Sequence, residues 1–273
     1  MKKFTIFLIL ICSNIDSVKS QSQKEANVIA DKLYKEMRFQ EAYKIYKRVL
    51  FFKDSINEYD YFKLGACKEA MRDSMSAVYY YKLGINMSQE DSVKALYLIK
   101  ISNIHIQNQN YSNAIYYLLI SREVANQNQL SRINFLLGSC YYLNEDFVNS
   151  KKYFLYTLKE DSLKLESCYA KVYKKYPNPK TALWLSVIFP GLGQFYTGEI
   201  KEGLNSLILN SFLVGIFVYT SKESSLITAS LSISPWMYRY LQGGAENAER
   251  LARKKINRRN KMVLKEIINL IKQ

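Results

Sequence analysis

The side chains that could carry out catalysis are few and scattered in this sequence of 273 residues. His105 is the only histidine, and no His/Cys group has the spacing of metal ligands. The Gly-rich stretch Pro190–Gly198 is not followed by the Gly-Lys-Ser/Thr that would cradle a phosphate. Acids such as Glu41, Glu69 and Glu145-Asp146 fall near predicted turns, where a solvated position is their ordinary role. We therefore expect no enzyme activity, no metal and no cofactor, and a structural role for His105.

Small residues that recur at a regular interval predict how the N-terminal half is built. Ala42, Ala77, Ala114 and Ser150 are 35, 37 and 36 residues apart. A small residue precedes each by twelve positions, and a bulky one follows each by four. Two antiparallel helices cross closely where both contribute small side chains, and the bulky residue then fills the gap against the next pair. The preceding small residues are Ala30, Gly65, Ser102 and Gly138, and the bulky ones are Tyr46, Tyr81, Leu118 and Phe154.

This pattern resembles the tetratricopeptide repeat, a helix–turn–helix unit of about 34 residues. The resemblance covers about Ala26–Asp161 and implies an all-α solenoid that presents a concave surface to a protein or peptide. A capping helix over Ser162–Tyr176 would extend this domain to residues 21–176. The repeat-ending Pro is missing, and the family's frequent Ala is replaced at Val49, Gly84, Ser121 and Thr157.

The first twenty residues have the pattern of a secretory signal peptide. Lys2-Lys3 precedes the apolar run Phe4–Cys12, and Val18-Lys19-Ser20 offers small residues for cleavage before Gln21. An uncleaved anchor is the alternative, and a lipoprotein site at Cys12 is disfavoured by the bulky residue before it. The pattern predicts export of the chain.

Three cysteines would remain in the exported protein: Cys67, Cys140 and Cys168. An odd number leaves at least one thiol unpaired. Cys67 and Cys140 occupy equivalent positions two repeats apart, which disfavours a bridge between them. We expect these residues to act as small buried hydrophobic side chains.

The segment Thr181–Leu241 is almost free of charge. Its uncharged runs Thr181–Gly198, Gly203–Ser221 and Ser224–Tyr238 contain 18, 19 and 15 residues. A run of about 18 residues is long enough to cross a bilayer core of about 30 Å. The sequence therefore predicts two to three transmembrane helices in residues 181–241, after a Pro-containing linker at residues 177–180.

A Pro- and Gly-containing motif interrupts the first of these runs. Helix formation from Thr181 must break there, and backbone groups freed in lipid need partners. Gln194 and Tyr196 are candidates for bonding to those groups. The motif resembles that of a small membrane domain in many bacterial proteins, where it precedes a helical hairpin. Its residues are Pro190-Gly191-Leu192-Gly193-Gln194-Phe195-Tyr196-Thr197-Gly198, followed by Gly203.

The C-terminal segment, residues 242–273, is a basic tail in a chain whose net charge is +15. Arg250–Gln273 holds nine Lys/Arg against one acid, Glu266. Apolar residues recur at helical spacing from Ala248 to Ile271, which predicts an amphipathic helix on an anionic membrane face and no role in nucleic-acid binding. The positive-inside rule places such a tail in the cytoplasm. With exported repeats this requires three crossings, whereas two would leave the tail outside.

Chains that join tetratricopeptide repeats to such a hairpin resemble envelope proteins of the Bacteroidetes type. The sequence thus predicts a non-enzymatic scaffold in the bacterial inner membrane, whose periplasmic repeats bind a protein or peptide partner. The alternative is a membrane-embedded assembly or insertion factor in which the hairpin acts and the repeats only recruit. Only this alternative predicts residual activity after deletion of the repeats.

Overall fold

The computed structural model describes residues 23–158, 162–174 and 176–272, and no residue in these ranges lies in a β-strand. The prediction of an all-α protein is confirmed. The predicted signal peptide lies outside the described residues. The chain divides into two compact units, Met1–Glu160 and Asp161–Gln273.

The described part of the first unit consists of eight helices. Each helix from α2 to α7 contacts the next one along the chain, and the core residues of α1 pack with those of α2 and α3. The helices are α1 (23–35), α2 (Phe39–Phe52), α3 (Glu58–Ala70), α4 (Ser74–Met87), α5 (Asp91–Gln107), α6 (Tyr111–Val124), α7 (Gln127–Leu143) and α8 (Phe147–Leu155).

Short polar side chains determine where five of these helices begin. Asn57 and Asn126 form capping boxes at α3 and α7, in which the side chains of the cap and of the third helical residue bond to each other's backbone N–H. Asp73, Asn110 and Asp146 each accept a hydrogen bond from the third backbone N–H of α4, α6 and α8. Each such cap stabilises a helix start by about 1 kcal/mol.

Four turns between helices share one backbone conformation. Met37, Arg72, Gln109 and Glu145 have φ values of 61°, 60°, 57° and 63° and follow the same intervals as the recurring small residues. At the second of these turns, the N–H of Asp73 donates to the carbonyl of Lys68 at 2.9 Å. Such left-handed residues commonly end helices, usually as glycine. Because none of the four is glycine, the sequence contained no signal for this conformation.

All eight small residues that were predicted at helix crossings are buried. Each predicted glycine faces the bulky residue of its own repeat: a Cβ on Gly65 would lie 2.6 Å from the Tyr81 ring, and one on Gly138 would lie 2.7 Å from Phe154. Ser150 Oγ donates to the Gly138 carbonyl at 2.7 Å. The fully buried members are Ala30, Ala42, Ala77, Ser102, Ala114 and Ser150, and Gly65 and Gly138 are buried with them.

Replacing Gly138 with alanine is expected to destabilise the protein by about 1–3 kcal/mol, because the added methyl group overpacks against the buried Phe154 ring. Phe154→Leu alone should also destabilise, by removing part of the ring. In the double variant the smaller side chain leaves room for the methyl group, so the combined loss should be less than additive by about 0.5 kcal/mol or more. Chemical unfolding of the four proteins measures this coupling, and strict additivity would contradict the contact.

The second unit contains five helices in its described part. Helix α9 belongs to this unit, whereas the sequence placed it as the cap of the repeats. The predicted last span and basic tail form one continuous helix with Pro235 inside it. The helices are α9 (Ser162–Tyr173), α10 (Pro179–Ile188), α11 (Leu192–Tyr196), α12 (Ile200–Glu223) and α13 (Leu226–Lys272).

Helix α10 begins inside the predicted linker. Pro179 occupies its first turn, and the Asn178 side chain accepts hydrogen bonds from the N–H groups of Lys180 and Thr181 at 2.9 and 3.3 Å. Proline suits this position because its missing N–H would have no partner there. The helix ends before Pro190, as the sequence predicted.

Candidate membrane anchor and polar groove

Helix α12 carries a mostly uncovered apolar surface. It is the one helix in the described ranges that is long and apolar enough to cross a membrane, and only 11% of its apolar window is buried. Phe212 and Tyr219 are each 67% exposed. A core helix of a soluble protein would bury such residues. An exposed apolar surface of this extent is typical of contact with lipid or with another protein.

Helix α13 runs beside α12 as the second arm of a hairpin. The two helices are joined by Ser224-Ser225 and pack against each other. Ala229 and Ile233 of α13 and Asn210 of α12 are buried, whereas Leu231 is 75% exposed. Asn210 satisfies its own side chain by donating to the Ser206 carbonyl at 2.8 Å. The hairpin therefore has a closed inner face and an open apolar outer face.

The Pro–Gly motif forms a compact reversal between α10 and α12. Gly191 and Gly198 have φ values of 94° and 76°, a region in which other residues are strained. Gly193 lies against α10, since a Cβ there would be 2.0 Å from the Ala182 carbonyl oxygen. On the far side of the reversal, a Cβ on Gly203 would lie 2.6 Å from the Phe195 ring. Gly193 and Gly203 are therefore required, because a larger side chain would collide with the Ala182 backbone or with the Phe195 ring.

Gln194 joins three helices through a fully buried side chain. Its Oε1 accepts from Ser186 Oγ of α10 at 2.8 Å, and its Nε2 donates to the Gly244 carbonyl of α13 at 2.8 Å. Ser186 Oγ in turn accepts from the Gly193 N–H at 3.1 Å. Tyr196 acts at the other end of α10, where its hydroxyl accepts from the Asn178 N–H at 3.1 Å. These bonds give the motif a structural role.

The position of α10 bears on the predicted first crossing. Its ten residues span about 15 Å, half the thickness of a bilayer core. Ala182 packs against Ala248 and Ala252, which lie in the charged stretch of α13. Its other face exposes Trp184 and Ile188, at 63% and 77%. Thr181–Gly198 is thus a short helix, a reversal and a one-turn helix, interrupted at Pro190 as the motif predicted.

Helix α9 and the end of α13 are in direct contact. Lys171 Nζ lies 2.5 Å from Glu266 Oε1. The Arg259 guanidinium donates to the Lys174 carbonyl at 3.3 Å and stacks over the Tyr176 ring at 4.3 Å. Segments in contact must lie on the same side of a bilayer. These contacts concern α9 and the tail alone, and the predicted three crossings stay a prediction.

The apolar face of the basic tail is also placed differently from the prediction. Ala248, Ala252, Val263 and Ile267 are at most 3% exposed within the second unit. They pack within the protein, so they are not available for insertion into a membrane surface. The face that stays open carries the charged residues, among them Arg250, Arg253, Lys254, Arg258, Lys261 and Lys265.

A groove of about 460 Å³ lies between α12 and α13. Its charged residues are Glu202, Glu246 and Arg250. Asn247 lies among them: its Nδ2 donates to Glu202 at 3.4 Å, and its Oδ1 accepts from Arg250 at 2.7 Å. No ion pair among the described residues includes either carboxylate or this arginine. The groove thus holds charges of both signs that do not neutralise one another by direct contact.

The first unit has a smaller cleft, of about 120 Å³, between α1, α2 and α3. Lys63 Nζ lies 2.9 Å from Asp31 and over the rings of Tyr46 and Tyr59. Burial opposes ionisation of Asp31, but hydrogen bonds from Tyr46 and Lys63 outweigh it and lower the pKa of this carboxyl. Tyr59 is 59% exposed and stacks on Phe62 at 5.9 Å. The cleft is therefore lined by aromatic rings and has an exposed rim.

The candidate chemical residues of the first unit are in structural positions. His105 stacks on Tyr117 at 5.3 Å, and burial, together with the nearby Lys82, lowers its pKa. Cys67 and Cys140 are buried and free, and burial raises their pKa values to about 11 and about 12. Both thiols stay protonated at neutral pH, which makes them weak nucleophiles. Across the described ranges, no group of three metal-ligating side chains occurs.

Neither the scan against protein-family models nor the search of curated proteins finds a match to this chain. The two resemblances drawn from the sequence therefore stay predictions.

Proposed function

We propose that this protein is a non-enzymatic membrane-anchored scaffold of the cell envelope, with a tetratricopeptide-type repeat array in its first unit. The observation that carries the anchor is the uncovered apolar surface of α12. Burial of such a surface in lipid contributes about 25 cal/mol per Å² of apolar area. Residues 226–241 of α13 would cross beside it, and α10 would lie in the interface with Trp184 and Ile188 toward the lipid.

In this proposal the bilayer is crossed twice. The contact between Lys171 and Glu266 supports an even number of crossings between α9 and the tail. No apolar segment long enough to cross a bilayer separates the repeats from α9 in the sequence, so the proposal puts both on one side. The predicted leader comes first and sets that side as the exported one, because the first apolar segment usually dominates orientation. The basic tail then faces anionic headgroups on that side.

The aromatic cleft supports partner binding by the array. Its volume of about 120 Å³ suits one apolar or aromatic side chain of a bound peptide. Tyr59 offers the exposed ring that commonly dominates such contacts. Lys63 lies 2.9 Å from Asp31 beside these rings, so the cleft also offers a charged pair to polar groups of the peptide.

Replacing Tyr59 with alanine is expected to weaken recovery of a bound protein at least about tenfold, because the exposed ring is the main apolar contact. The measurement is affinity capture of the tagged full-length protein from detergent, followed by quantitative mass spectrometry. Tyr116→Ala is the matched control, since Tyr116 is also 59% exposed but lies on α6, outside the cleft. A partner that both variants recover equally does not bind this cleft. If a chain lacking the array kept full activity in the cell, the alternative of an active hairpin would replace the scaffold.

A further inference from the structure

The groove between α12 and α13 has the chemistry of a headgroup site. Glu202 and Glu246 supply carboxylate acceptors, and Arg250 supplies a cation in the same groove. Side-chain amides of Asn205 and Asn247 add further hydrogen-bonding groups. Gln242 Nε2 also donates to Glu246 Oε1 at 2.9 Å. A ligand that carries both an ammonium and an anionic group matches both signs of charge in this groove.

The position of the groove identifies what carries that headgroup. On α12 the groove is lined from Glu202, at the charged start of the helix, to Leu209, about two turns further into its uncharged run. On α13 the lining likewise runs from the charged Arg250 to Tyr240, which lies at the edge of the apolar stretch of that helix. Beyond Leu209 the outer surface is apolar, with Phe212 67% exposed. A ligand whose charged end fills the groove would thus place its other end on lipid-facing side chains.

We infer that this groove binds one phospholipid with an ethanolamine headgroup. The ammonium is held by Glu202 and Glu246, the phosphate by Arg250, and the acyl chains lie along the outer face of the hairpin. A primary ammonium donates three hydrogen bonds to these acceptors, whereas a choline group has no N–H to donate. Choline sites are built from several aromatic rings, and this groove contains one, Tyr240. The inference rests on the membrane hairpin proposed above.

The test measures which lipid stays on the protein. Full-length protein is purified in detergent with equal amounts of phosphatidylethanolamine, phosphatidylcholine and phosphatidylglycerol, and retained lipid is counted by native mass spectrometry. We expect the ethanolamine lipid to be retained about tenfold over the choline lipid, because the preference depends on charge-assisted hydrogen bonds. The E202Q/E246Q variant should lose this preference while keeping the shape of the groove.

Glu249→Gln is the matched control, since Glu249 lies on α13 but outside the groove, where it pairs with Arg253 at 2.6 Å. The control should keep the wild-type preference. Equal retention of the ethanolamine and choline lipids by the wild type, or an unchanged preference in E202Q/E246Q, would overturn the inference. Preferential retention of phosphatidylglycerol would overturn the inference and assign lipid binding to the basic face of α13. Displacement of the lipid by free phosphoethanolamine would overturn the role of the acyl chains, since it would show that they contribute nothing to the affinity. A chain that failed to float with vesicles would refute the membrane hairpin itself.

Discussion

Replacing Phe212 and Gly215 with lysine is expected to abolish membrane insertion of the protein. Both residues lie near the middle of α12 and are exposed in the protein, and a Cβ on Gly215 would meet no atom within 4 Å. The substitutions therefore cost little packing within the chain. In a bilayer core, each lysine at the centre of a helix costs about 2.5–3.5 kcal/mol, so the pair costs about 5–7 kcal/mol.

Flotation with vesicles in a density gradient measures this loss, because aggregated protein sediments whereas inserted protein rises. The matched control places two lysines on the first unit, at Met75 and Val148, which are 86% and 74% exposed. This control adds the same charge and should float like the wild type. If F212K/G215K also floats fully, α12 does not lie in the bilayer core and its apolar surface must serve another contact.

The repeat spacing was readable from the sequence because a close helix crossing tolerates only small side chains. Gly65 and Gly138 illustrate this, since each is tightly opposed to a ring four residues beyond its partner small residue. The turns between helices were not readable. Arg72 and Gln109 adopt a left-handed conformation that local sequence does not favour, and the packing of the helices on either side imposes it.

Residues of the Pro–Gly motif were also identifiable from the sequence, but their hydrogen-bond partners were not. Gln194 bonds to Ser186, eight residues away, and to Gly244, fifty residues away. The second distance depends on how α13 returns beside α11, which no local pattern encodes. The groove has the same origin, since Glu202 and Arg250 become neighbours only when the hairpin closes.

In the basic tail, the helical spacing of apolar residues predicted the apolar face but not what covers it. Alanine and isoleucine at helical spacing predicted one apolar face on residues 242–273, and the structure has such a face. The same pattern is produced by a helix that lies on lipid and by one that packs on protein. Ala252 and Ile267 are fully buried within the second unit, so protein contacts cover this face.

The arrangement of α9 and the tail leads to a prediction about topology. Reporters fused after Leu158 and after Gln273 should be active on the same side of the membrane, and a reporter fused after Lys222 on the opposite side. The physical reason is the ion pair between Lys171 and Glu266 together with the Arg259 contact to the Lys174 carbonyl. With a functional leader, the same-side reporters are extracytoplasmic. This result would put the nine basic residues of the tail outside the cytoplasm, contrary to the positive-inside rule. That rule was the reason for expecting three crossings.

A chemical measurement on the full-length protein tests the contact directly. A carbodiimide activates a carboxyl group and joins it to an amine in contact with it, so it should link Glu266 to Lys171, whose reactive atoms are 2.5 Å apart. Mass spectrometry of the digest detects the linked peptides, and Glu266→Gln removes the carboxyl group as a control. Because α9 and the tail can touch only on one side, this product and an opposite-side result from the reporters cannot both occur. Opposite-side reporters without the cross-link would restore three crossings and would require α9 to separate from α13 in the membrane.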